Sequence, residues 1–219
     1  MINVDMLPMA IGIAISPVPV IAVIIMLFSG RAKSNGIAFA SAWFLTITIL
    51  SVGIVFFAST NEVVTATESG TQWIKIILGI VLLLMAVKNF HARPKEGQKP
   101  DMPTWLVKID GFTPLKASGL AALLSGINPK NLALIIAGAV TIAESGSINH
   151  TTWLNVGLFV IIASFSVVVP VVYYLIAGQK AKQTLTKWKD WLSQNNAMVM
   201  FGLFLVVGSL LLLQGFKLI

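Results

Sequence analysis

Six stretches of this chain are apolar for the length that a bilayer demands. A hydrocarbon core of about 30 Å takes about 20 residues of helix. Residues 7–29, 36–59, 71–90, 114–143, 151–177 and 197–216 each reach that length. Alternating strand patterns are missing, which argues against a membrane barrel. Of the 219 residues, 57% are hydrophobic and only 11% charged. A soluble domain carries about 25% charged residues, so this chain cannot cover a water-facing surface. An ordinary soluble enzyme and a disordered chain are both excluded. The expected fold class is an all-α polytopic membrane protein with six transmembrane helices.

Charge sets the expected orientation. Twelve of the fifteen basic residues fall in or beside the connections after the first, third and fifth runs. They are Arg31 and Lys33, then Lys88, Arg93, Lys95, Lys99, Lys108 and Lys116, then Lys180, Lys182, Lys187 and Lys189. Asp5, Glu62, Glu68 and Glu144 lie on the opposite side, with Lys75 and Lys217. Basic loops stay cytoplasmic, so both termini are expected outside. The first residues, MINVDM, lack a basic segment, and the first run reads as a retained span rather than a signal peptide. Basic residues in short loops point to topology and anionic lipid, not to nucleic acid.

Polarity divides the chain. Residues 1–90 form an expected first three-helix repeat, and 91–113, with Pro94, Pro100 and Pro103, a cytoplasmic linker. Residues 114–219 form the second repeat. Within it, 179–196 places Ala181, Leu185, Trp188 and Leu192 at helical spacing with lysines between, the pattern of an interfacial amphipathic segment. Trp73 and Trp153 sit near expected outer ends as interfacial anchors. Glycines and alanines such as Gly36, Gly119, Gly202 and Gly208 suit close helix packing, and a homodimer is compatible with such faces.

The first and fourth runs carry matching interruptions. One reads Ile15-Ser16-Pro17-Val18-Pro19 and the other Ile127-Asn128-Pro129-Lys130-Asn131. Ser and Asn are good helix N-caps. Proline suits the next position, where no amide donor is needed, and it disfavours helical geometry in the residue before it. The spacing therefore predicts a broken first and a broken fourth helix, arranged as a 3+3 inverted-topology repeat. Helix N-termini carry partial positive charge, and two of them meeting at membrane depth would suit an anion. Pro170 stands alone and reads as a kink.

Lys130 is the one charged residue placed deep within a run. Its insertion costs at least about 2.5 kcal/mol, and no carboxylate lies within the runs to pair with it. Its expected partners are backbone carbonyls, water, Asn131 or a bound anion. Replacing it is then expected to impair cargo handling more than folding. The sequence has no Cys and only two His, so nucleophile, base and metal ligands are all wanting. Neither an enzyme nor a cofactor is expected.

The stretches at 15–46 and 110–143, with Ser-Pro-Val-Pro and Asn-Pro-Lys-Asn-Leu at their breaks, resemble the two motifs of the GAP family of membrane proteins, within the lysine-exporter (LysE) superfamily. The resemblance implies a six-span, transporter-like protein, and export of an amphipathic, lipid-linked molecule. It carries a substrate role to Ser16, Pro17, Pro19, Asn128, Pro129, Lys130 and Asn131. The leading expectation is an exporter or flippase of the bacterial inner membrane, moving an anionic lipid-linked substrate among membrane lipids. Two alternatives stay open: a small-solute exporter of the amino-acid type, and a non-transporting accessory subunit of a larger lipid-export complex.

Overall fold

Two polar interruptions organise the helices, because each stops a helix inside an apolar run. The computed structural model describes residues 2–60, 68–93, 106, 109, 111–144 and 148–218. After a single 3-10 turn at Val4–Met6, α1 spans Leu7–Ala14 and α2 Pro17–Phe28, followed by α3 over Ala32–Thr60 and α4 over Glu68–His91. Then come α5 (Pro114–Ala122), a π turn at Leu123–Ile127, and α6 (Pro129–Ala143). Finally α7 covers His150–Ala177, a 3-10 turn Gly178–Lys180, and α8 covers Ala181–Gly215. Glu62 and most of the expected linker, including Pro94, Lys95, Lys99, Pro100, Pro103 and Lys108, lie outside the described residues.

Both interruptions are bends. The segments Val4–Ala14 and Pro17–Phe28 meet at 50°, and Pro114–Ile127 and Pro129–Ala143 at 61°. Ser16 has φ −127° and ψ 88°, and Asn128 has φ −59° and ψ 120°. Neither is helical, as a residue before proline is disposed to be. The halves that restart, α2 and α6, are the most enclosed elements, with Ile21 to Ile24 and Leu134, Ile135 and Ile142 in the core. Around them, α3 packs on α5, α6 and α7, and α4 lies along α8.

The architecture is all-α, but six discrete spans in a 3+3 inverted repeat are not present among the described residues. Among the described residues three helical stretches are long and apolar enough to cross a membrane: Ala32–Ser59, Gln72–His91 and His150–Gly215. Counting each bent pair as one span raises the number to five. The expected fifth and sixth spans fall in one 66-residue run of helical backbone. The reason is local. Residues 181–192 include three Lys and two Leu and contain neither Gly nor Pro, so the helix restarts directly after the 3-10 turn instead of ending. The run changes direction at Gly178, whose φ of +56° favours glycine. The Tyr173 ring consequently stacks on Trp188 at 6.1 Å. Through Pro170, α7 continues.

The two ends of the bundle differ. At one, Asn35 Nδ2 donates to Phe112 O (2.9 Å) and Lys182 lies over the Phe28 ring. At the other, Asn3 Nδ2 donates to Thr141 O (3.0 Å), and buried Lys75 pairs with Glu144 at 2.8 Å. The chemistry of that second end holds α4 to α6. These apolar, closely packed helices make the protein membrane-associated.

The contact between α4 and α8 depends on two glycines facing each other. A Cβ on Gly79 would lie 3.0 Å from Gly208 O, and one on Gly208 would lie 3.1 Å from Gly79 O. Gly208→Ala should therefore lower the stability in detergent by about 1 kcal/mol, through forced separation of the two backbones. Gly202, with open space around it, is the control: Gly202→Ala should gain about 0.5 kcal/mol from helix propensity. Thermal unfolding monitored by circular dichroism measures both.

Candidate functional site

The first interruption is closed by the second. Where α1 ends, its last carbonyls have no amide of the next turn to accept from. Lys130 reaches across from the start of α6 and supplies the missing donors. Its Nζ donates to Gly12 O (2.9 Å), to Ile15 O (3.0 Å) and to Ser16 Oγ. Ser16 Oγ donates to Ile13 O (2.6 Å) and lies 3.3 Å from Asn131 Oδ1. The Asn131 amide in turn donates to Leu124 O (2.8 Å) within the π turn. Ser16, Lys130 and Asn131 are all buried, so the cluster is a continuous brace between the two bends.

An ammonium has three N–H donors, and all three meet protein acceptors here. Among the described residues no carboxylate pairs with Lys130. The helix starts are also largely closed. In α2, Pro17 and Pro19 have no amide proton, and Val20 N–H donates to Ser16 O (3.3 Å). In α6, Pro129 has none, Lys130 N–H donates to Asn128 Oδ1 (3.0 Å), and Leu132 N–H donates to Asn128 O (2.9 Å). Most amides expected to face an anion are therefore absent or capped.

The seven residues singled out in the sequence do not share one cavity. Ser16, Lys130 and Asn131 meet; Asn128 caps its own helix; Pro19 is packed in α2; Pro129 is exposed. Ser16 and Pro17 alone among them border a cavity of about 600 Å³ beside the first bend. Its other walls come from α7, at Ser166, Val169 and Pro170, and from α8, at Trp188, Leu192 and Val199. Sequence reasoning placed Trp188 and Leu192 on one helical stripe but did not connect that stripe to Ser16. The direction change at Gly178, which folds α8 back past α7, makes the connection.

No group of three His, Asp or Glu residues among the described ones could hold a metal. The family described as Sap, sulfolipid-1-addressing protein, matches residues 6–217. No curated protein and no solved structure matches the chain. This match overturns the resemblance to the GAP family and the lysine-exporter superfamily, which rested on two short motifs around the bends. Those motifs report how a membrane helix is interrupted, a feature that unrelated membrane proteins can share. With it falls the exporter or flippase as the main reading, since the matching family is named for addressing a lipid. That name describes no reaction. Over nearly its whole length, then, the chain belongs to the Sap, sulfolipid-1-addressing protein, family.

Proposed function

We propose that this protein is a non-transporting accessory subunit of a lipid-export complex. It receives an anionic, lipid-linked molecule in the bacterial inner membrane and presents it to a separate transporter. The observation that carries this reading is the brace around Lys130. Rocking of one half against the other would have to break three ammonium hydrogen bonds at a buried site, where each acceptor left unpaired costs about 1–3 kcal/mol. A locked centre suits a holder better than a pump. The family name supplies the cargo class, a sulfolipid.

In this arrangement Ser16 and Pro17 touch the lipid, while Asn128, Pro129, Lys130 and Asn131, with Pro19, keep the bends in place. The end bearing Arg31, Lys33, Lys116, Lys180 and Lys182 faces the cytoplasm, by the bias of basic residues to that side.

Deletion of the gene should abolish surface display of the lipid. The purified protein in liposomes should move a fluorescent anionic glycolipid no faster than protein-free liposomes. Translocation by the protein alone would overturn the accessory role, as would unchanged display after deletion.

A further inference from the structure

The cavity beside the first bend is nearly all hydrocarbon, and the unpartnered hydroxyl nearest to it is enclosed behind its wall. Ser166 Oγ is buried and makes no hydrogen bond. Four residues later stands Pro170, within the same helix. Proline has no amide proton, so the Ser166 carbonyl lacks its usual helical donor. Both features occur on a wall of the cavity, since Ser166 and Pro170 line it together. Buried polar groups in proteins are normally paired; Ser166 Oγ is enclosed behind the wall, so the surface facing the cavity is hydrocarbon.

The shape of the cavity says what kind of ligand. Its volume of about 600 Å³ sits within the range of small-molecule sites, about 300–1,000 Å³. Its walls are Ile15, Val20, Val169, Leu192 and Val199, with Ser16 and Ser166 as the hydroxyls. Phe165 and Trp191 border it and are 63% and 57% exposed. In a membrane-associated bundle this exposed rim meets lipid, so a chain can enter sideways from the bilayer. Trp188 and Trp191 stand in the lysine-bearing stretch of α8, where tryptophan marks headgroup depth.

From these features we infer that the cavity between the first bend, α7 and α8 binds one acyl chain of a membrane lipid. The chain lies along Val20, Val169 and Val199, against the hydrocarbon wall. The headgroup stays at the tryptophan end, beside Lys187. This site deepens the lipid-addressing reading and rests on it for the identity of the lipid, although the cavity chemistry is independent of any partner.

The test uses the full chain in nanodiscs containing a phospholipid with a photoactivatable diazirine on its acyl chain. Crosslinks mapped by mass spectrometry should concentrate on α7 near Val169 and α8 near Val199, above the level on the outward-facing Ile176. Val199→Trp, which fills the cavity from a half-buried position, should lower that labelling about tenfold, the change expected for about 1.4 kcal/mol of lost binding. Labelling at Ile176 should not change. Val169→Trp serves as a second plug if the first variant is poorly folded by circular dichroism. Cavity labelling no higher than at Ile176, or unchanged in a folded plug variant, overturns the site. Deletion phenotype separates the two proposals: cavity labelling with normal surface lipid after deletion retains the site and rejects the accessory role. Absent labelling with lost surface lipid does the reverse.

Discussion

Lys130→Ala should leave the protein markedly less stable, by about 2–4 kcal/mol, and Lys130→Glu should prevent folding. The alanine variant removes the donor from Gly12 O, Ile15 O and Ser16 Oγ at once. Each orphaned buried acceptor costs about 1–3 kcal/mol. Release of the buried ammonium from a low-dielectric site offsets part of this. Glutamate is worse, because an ionised carboxylate is acceptor-only and would face three acceptors. Lys130→Met keeps the apolar stem and loses the hydrogen bonds, so it should fall between wild type and alanine. Unfolding of the purified variants in detergent, with membrane yield beside it, measures the order. An alanine variant as stable as wild type would show that the brace contributes nothing. The expectation drawn from sequence, that this substitution harms cargo handling more than folding, is thereby reversed.

Gly138→Val should destabilise by about 3 kcal/mol, at the upper end of overpacking penalties. A Cβ at position 138 would fall 2.3 Å from Phe159 Cε2 and 2.7 Å from its Cζ. Phe159 is completely buried, so its ring has no solvent-facing rotamer to adopt, and α6 must move away from α7. Trimming the ring should relieve the clash. Gly138→Val combined with Phe159→Leu should recover at least about 1 kcal/mol relative to additivity, since contacting sites couple by about 0.5–3 kcal/mol. A double-mutant cycle on thermal unfolding tests it. Strict additivity would mean that the two residues do not limit each other.

The bends were legible because they depend on neighbours in the chain. Ser16-Pro17 and Asn128-Pro129 carry their own restriction on backbone geometry, and α2 and α6 do begin at Pro17 and Pro129. Lys130 stood out for the same reason, as a charge inside an apolar run. Its partners were another matter. Gly12 O, Ile15 O and Ser16 Oγ lie more than one hundred positions away, and no local rule says which carbonyls a lysine will reach. The pairing of Lys75 with Glu144 was equally hidden, though both residues had been placed on one side. The number of spans was misread because the lysines in 179–196 lower the hydropathy there, while helix propensity restarts the backbone directly after the turn at Gly178.

Composition and periodicity determined that this chain is helical and membrane-associated, and proline placement determined where two of its helices bend. Both follow from interactions within a few residues: burial of apolar side chains and steric restriction before proline. Tertiary structure alone decided what closes the bends. It brought Lys130 to the end of α1, turning an apparent anion site into a closed brace. By folding α8 back at Gly178 it also set Trp188 and Val199 beside Ser16 and Ser166, enclosing a cavity whose walls come from segments remote in sequence. Distance along the chain carries no information about such meetings, because they are settled by packing of whole helices.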